Sequence, residues 1–146
     1  PACLAAKSSY ISGVGEQIDL GPVLPAAGIL LVNPNETVET VDVFSAFSRP
    51  FSTAKRFVKQ PRDVAGLADL LAQRRNDLTV DVMRLCPATG DVLAALETTP
   101  GCRLARMSGS GATCFGLFDD RSATERAAKI LADRGWWLMA TTLAAS

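Results

Sequence analysis

The stretch from Arg103 to Leu143 constrains the fold more than any other part of the 146-residue chain. Arg103 to Met107 and Thr113 to Phe118 alternate or run apolar, as two strands do, and Ser108-Gly109-Ser110-Gly111-Ala112 joins them. So short a connection returns the chain as a hairpin, because a parallel return needs a crossover of about a dozen residues. Ser122-x-x-Glu125 then reads as a capping box, opening a helix with Ala123, Ala127, Ile130 and Leu131 on one face. Gly135 ends that helix, and Trp136 to Leu143 reads as a last strand. The Trp136-Trp137 pair reads as core or as domain-contact surface.

Upstream, residues 1–6 and 9–20 read as strands around a bend containing Gly13 and Gly15. Gly28-Ile29-Leu30-Leu31-Val32-Asn33 is a short branched run stopped by Pro34, which favours a buried strand. Thr40 is a good N-cap for a short helix carrying Val41, Val43, Phe44 and Phe47. Val64, Leu67, Ala68 and Leu71 repeat at helical spacing. Leu78, Val82, Leu85 and Cys86 do the same after Asn76-Asp77, which can cap. Pro87 begins a further helix, with Val92, Leu93 and Leu96, that stops at Pro100-Gly101. This order predicts an α+β domain over 1–146, an antiparallel sheet with helices on one face.

Composition then removes functions. Forty-eight per cent hydrophobic and 21% charged residues suit a globular domain. Fifteen basic residues balance fifteen acidic ones, so no global field draws the chain to nucleic acid or an anionic membrane. No apolar run approaches the 18 residues or so of a membrane span, and no signal peptide is expected, since Lys7, Ser8 and Ser9 interrupt the apolar start. Pro1 follows either a removed Met or a cut end. There is no histidine, so Ser-His-Asp triads, Cys-His pairs and His-bearing metal sites are excluded. Cys3, Cys86, Cys102 and Cys114 include no Cys-x-x-Cys and sit in apolar contexts. They read as reduced core residues of a cytoplasmic protein.

Three segments carry chemistry. Ser108-Gly109-Ser110-Gly111-Ala112 is either a plain hairpin turn or an anion-binding nest of backbone N–H groups, helped by the hydroxyls of Ser108, Ser110 and Thr113. It is neither a Walker A loop nor a dinucleotide fingerprint. Tyr10, three residues before Gly13-Val14-Gly15, is either a core residue or a platform for a flat ring. Residues 45–62 hold Arg49, Lys55, Arg56, Lys59 and Arg62 with no acidic residue, between Pro50 and Pro61. This is a basic loop, either a solvated linker or a flap near a phosphorylated ligand. Asp119-Asp120 reads as a turn. No carboxylate pair stands out for acid–base work or for a metal, so no catalytic or metal-binding residue is assigned.

The motifs occur in an order that resembles one family. Pro1-Ala2-Cys3-Leu4, Gly13-Val14-Gly15-Glu16, Asn33-Pro34 with Thr40-x-x-Val43-Phe44, Asn76-Asp77-Leu78 and Met107 to Phe115 are similar to the C-terminal half of the 4-diphosphocytidyl-2-C-methyl-D-erythritol kinases, of the GHMP kinase superfamily. Asn35 departs from the pattern, standing where the family usually has Gly; Asn is the next most tolerant of a left-handed turn. The resemblance implies a ferredoxin-like domain of an ATP- and Mg²⁺-dependent kinase of the non-mevalonate isoprenoid route. Its substrate would be a cytidine-diphosphate-linked methylerythritol, phosphorylated on the 2-hydroxyl. It also implies that the ATP loop and the catalytic Lys and Asp belong to an N-terminal half not included in this sequence, so that the chain alone is inactive and partners its own N-terminal domain. Tyr10 would stack on cytosine near Gly13 and Gly15, and Ser108, Gly109, Ser110, Gly111 and Ala112 would line the phosphate-transfer cleft. The alternatives are a free-standing ligand-binding or regulatory module and a structural interaction domain.

Overall fold

A computed structural model describes residues 8–12, 16–53 and 55–143. Pro1 to Leu4, Cys3, Gly13 and Gly15 lie outside them. Strands β1 (Ser9–Ser12) and β2 (Gln17–Leu20) pair antiparallel as a separate hairpin. Strands β3 (Ala27–Asn33), β4 (Leu104–Met107), β5 (Cys114–Phe118) and β6 (Trp137–Leu143) form one antiparallel sheet in the order β4-β5-β3-β6. The strand after Pro25-Ala26 thus becomes a central strand, pairing Leu30 with Gly116 on one side and Ala140 on the other. The helices are α1 (Thr40–Ala46), α2 (Val64–Ala72), α3 (Thr79–Leu85), α4 (Ala88–Thr98) and α5 (Arg121–Leu131). None among the described residues is long and apolar enough to cross a membrane.

Alternation along β3 divides the core. Leu30 and Val32 face the main core with Met107, Cys114 and Phe118. Val43 of α1, Val82 of α3, Val92 and Leu96 of α4, and Ala123, Ala127 and Leu131 of α5 close over them. The α+β class with an antiparallel sheet therefore holds, and four helices share one face. Helix α2 does not join them: Val64, Leu67 and Ala68 pack with Ala27 and Leu117 on the opposite face. Periodicity identifies an apolar helix face but not the side of the sheet it meets. Two other helical residues also depart from expectation. Leu85 and Ile130 are 48% and 57% exposed, and Thr124, fully buried, takes the inner position on α5.

Two helix starts shift from their sequence signals. The N-cap of α5 is Asp120, whose carboxylate accepts from Ala123 N at 2.7 Å, so Ser122 lies inside the first turn. Asp119 pairs in a fork with Arg103 across the open ends of β4 and β5, both bonds being 2.8 Å. The start of α1 is Glu39 and Thr40 is its first helical residue, leaving the Thr40 hydroxyl for another partner. The predicted stops stand: Gly101 and Gly135 have φ of 84° and 73°. Cys86 and Cys114 are buried, Cys102 half-buried, and all three are free thiols. Burial, with a lesser contribution from Cys86, pushes the Cys114 thiol up to about 12, so it packs as a small apolar group.

Candidate functional site

The loop between β4 and β5 is held from three sides. Ser108 N donates to Thr113 O at 2.9 Å and Gly111 N to Ser108 O at 3.0 Å, closing the turn. Gly109 and Gly111 take φ of 55° and 78°, which side-chain-bearing residues seldom adopt. Asn76 is not the cap of α3. Its Oδ1 accepts from Leu78 N at 3.0 Å while its Nδ2 donates to Met107 O at 3.1 Å and Gly109 O at 2.8 Å. One amide thus ties the entry of α3 to the loop. From the other side, the Thr40 and Ser110 hydroxyls share a hydrogen bond of 2.9 Å. Asn33 Nδ2 donates to Thr113 Oγ1 at 2.9 Å, fixing the end of β3 to the loop's exit. The departure at Asn35 is absorbed: it adopts φ of 63° and its Nδ2 donates to Gly135 O at 2.7 Å.

Gly109 and Ser110 line an open cleft of about 510 Å³ with Thr40, Phe44, Phe51 and Asn76. Among the described residues, the N–H groups of Gly109, Ser110 and Ala112 have no hydrogen-bond acceptor within the protein. Fixed donors in a turn with left-handed residues suit an anion. Carboxylates do not gather here into a metal cage; no group of three or more His, Cys, Asp or Glu among the described residues could hold an ion.

The basic segment 45–62 is a docked strap rather than a solvated linker. Arg49 Nη2 lies 2.5 Å from Asp81 Oδ2, and Asp81 is only 2% exposed. Arg49 also stands 5.3 Å from the Phe47 ring centroid, and Phe47 stacks on Phe51 at 4.4 Å. Asp77 accepts from both the N–H and the hydroxyl of Ser52, each at 2.7 Å, and from Arg75 Nε at 2.6 Å. The Ser52 bonds, followed by Arg75, hold the Asp77 carboxyl at about 2, against 3.8 for an ordinary aspartate. The folded value lies below the unfolded one, so this strap contact is present above pH 4 and is lost as pH falls toward 2. We expect the Asp77 carboxyl to titrate near 2 by carbon-detected NMR, with the Ser52 amide following it, and Ser52→Ala to move the midpoint up. A midpoint at 3.8 in the unsubstituted chain would mean that the contact is not formed in solution.

Tyr10 occupies a different place from the glycine loop. It lines an apolar cleft of about 260 Å³ with Leu24, Ile29, Phe57, Leu71 and Phe115, on the α2 side of the sheet. Its hydroxyl accepts from Phe57 N at 2.8 Å. Arg56, ion-paired with Asp19, lies 5.2 Å from its ring centroid. The strap therefore touches both predicted places, Phe51 at the glycine loop and Phe57 at Tyr10. Sequence reasoning missed Asn76 as the loop's clamp and Thr40 as a loop contact. Their only local sign was that both are polar residues at helix starts.

An antiparallel sheet backed by helices, with a glycine hairpin opening on a cleft, defines a small α+β domain. The chain belongs to the family described as GHMP kinases C terminal, whose model matches residues 53–135. It is similar to the 4-diphosphocytidyl-2-C-methyl-D-erythritol kinase of Paramagnetospirillum magneticum, 46% identical over 94% of this chain and 49% of that protein. The corresponding protein of Rhodospirillum rubrum is 41% identical over 98% of this chain and 48% of its own length. A crystal structure of 4-(cytidine 5'-diphospho)-2C-methyl-D-erythritol kinase superposes with a TM-score of 0.79 at 28% identity, covering all of this chain and 53% of that one. Homoserine kinase from Cytophaga hutchinsonii shares the fold, with a TM-score of 0.63 at 14% identity. The chain spans about half the length of the curated relatives it matches.

Proposed function

We propose that this chain is the C-terminal, substrate-binding half of an ATP-dependent kinase acting on the 2-hydroxyl of 4-diphosphocytidyl-2-C-methyl-D-erythritol, in non-mevalonate isoprenoid synthesis. The observation that carries the reading is the 46% identity across 140 residues to a kinase of that name. The held glycine loop, with its unpaired N–H groups, supports it chemically. Phosphoryl transfer asks mainly for positioning and for charge stabilisation, and Ser108 to Ala112 offer both toward one phosphoryl group.

An N-terminal half would supply the ATP loop and the catalytic Lys and Asp. Mg²⁺ does not fit this chain's own residues: among those described no acidic cluster could hold it, and Asp77 and Asp81 are engaged by Ser52, Arg75 and Arg49. Catalytic roles are accordingly assigned to no residue here.

At the other end, Tyr10 is the platform for the cytosine ring; Gly13 and Gly15, assigned to substrate binding by the same resemblance, lie outside the described residues. The base takes the place of Arg56, whose ion pair with Asp19 is 61% and 54% exposed at its two ends and so costs little to break. Base–aromatic stacking contributes about 1–3 kcal/mol, or roughly 5- to 150-fold in affinity. Tyr10→Ala, in the chain joined to an N-terminal half, should raise KM for the cytidine-linked substrate by that factor and leave kcat within about threefold. An unchanged KM would remove Tyr10 from the binding site.

A further inference from the structure

Between Phe51 and Phe57 the strap forms one wall of a third cleft, of about 650 Å³, that neither predicted place accounts for. Its lining includes Ser52, Thr53, Lys55, Gln73, Arg74 and Arg75, and no acidic residue among those described. The bases there are unequally engaged. Arg74 is structural: its guanidinium donates to the carbonyls of Lys55, Leu70 and Arg56 and lies 4.4 Å from the Phe57 ring centroid. Arg106 donates to Arg74 O and Leu71 O, at 2.6 and 3.2 Å. The carbonyl end of α2, which would otherwise repel an anion, is thereby covered by two guanidiniums. Arg75 meets one carboxylate, Asp77, and remains 71% exposed. Lys55 has no ion-pair partner among the described residues. The cleft thus holds surplus positive charge beside the Thr53 hydroxyl, the Ser52 hydroxyl being taken by Asp77. Through Arg75 it adjoins the cleft of Gly109 and Ser110.

We propose that this cleft is an oligophosphate site in which Lys55 and Arg75 bind the diphosphate of a nucleotide. Arg75 can grip phosphate oxygens with a planar fork, and Lys55 adds a mobile point charge. Along the strap the cleft lies between the contact to Tyr10 and the contact to the glycine loop. A nucleotide whose base rests near Tyr10 would direct its phosphates here. The proposal deepens the kinase reading by placing the phosphates, but it is read out by binding and not by turnover, so the two fail separately.

The test is titration of the 146-residue chain with inorganic diphosphate and with cytidine 5'-diphosphate, followed by amide NMR. Ser52, Thr53, Gln73 and Arg75 should shift with both probes, and the nucleotide should bind at least as tightly as diphosphate. Lys55→Gln should weaken both by about tenfold or more, the weight of one charged contact. Lys55 is exposed and its side chain forms no ion pair with the described residues, so the variant should melt as the unsubstituted chain does. Lys129→Gln, on the last turn of α5, should bind unchanged. Equal binding by Lys55→Gln, or shifts confined to residues 109–111, would overturn the proposal. Should Lys55→Gln melt early, Arg75→Gln repeats the measurement with the same two outcomes.

Discussion

Gly28→Ala is expected to destabilise the domain by about 3 kcal/mol, which for a chain of this size lowers Tm by roughly 10 °C. Gly28 sits in central strand β3, paired with Phe118 and Thr142. A methyl group there would fall inside the contact distance of the Asp120 carbonyl oxygen and of Thr124 Oγ1. Neither atom can yield cheaply. Asp120 caps α5, and its carbonyl accepts from the Thr124 hydroxyl at 2.9 Å and from Thr124 N at 3.2 Å. The first turn of α5 would have to lift from the sheet, opening the core around Phe118, Ala123 and Ala127. A thermal melt within about 2 °C of the unsubstituted chain would show that helix and strand do not approach so closely.

Gly111→Ala should act on the loop and on function together. A left-handed alanine costs about 1–2 kcal/mol. Its Cβ would also stand 2.8 Å from Val82 Cγ1 and 2.9 Å from Met107 Sδ. Both neighbours belong to the main core, so the loop moves in preference to them. The hydrogen bonds from Asn76 and between Thr40 and Ser110 would then be strained, and the free N–H groups would lose their common aim. In a kinase, a displacement near 1 Å can cost about a hundredfold in rate. We therefore expect kcat to fall by about that factor once the chain is joined to an N-terminal half, with KM for the cytidine-linked substrate nearly unchanged, because Tyr10 lies in a separate cleft. A variant retaining full kcat would show that the loop does not face the transferred group.

What could be read from sequence was what local physics dictates. The strands at Ala27–Asn33, Leu104–Met107 and Cys114–Phe118 follow from short apolar runs with turn residues between them. Gly101 turns the chain just after α4, and Gly135 closes the short 3-10 turn that follows α5, because the chain needs φ above zero at both. The Val64, Leu67, Ala68 stripe is buried as its spacing requires, yet nothing local told which sheet face would bury it. Asp120 and Ser122 are comparable caps, and the choice between them rests on where Gly28 lets α5 dock. The candidate site was legible in part. Its glycines announce themselves, whereas Asn76 and Thr40 reach the loop across more than thirty residues of chain. The strap's anchors, Arg49 to Asp81 and Ser52 to Asp77, pair residues 32 and 25 apart and leave no periodic trace. Its excess of positive charge was visible; the folding of that charge against α3 and the end of α2 was not.

The central claim is that this chain forms one wall of a kinase site. It is tested by co-expressing the chain with the N-terminal half of the Paramagnetospirillum magneticum relative and assaying ATP-dependent phosphorylation of 4-diphosphocytidyl-2-C-methyl-D-erythritol by phosphorus NMR. The account predicts phosphorylated product from the pair, none from either half alone, and a rate that falls about a hundredfold with Gly111→Ala. A folded, co-purifying pair that forms no product, or one whose rate is indifferent to Gly111→Ala, would contradict it.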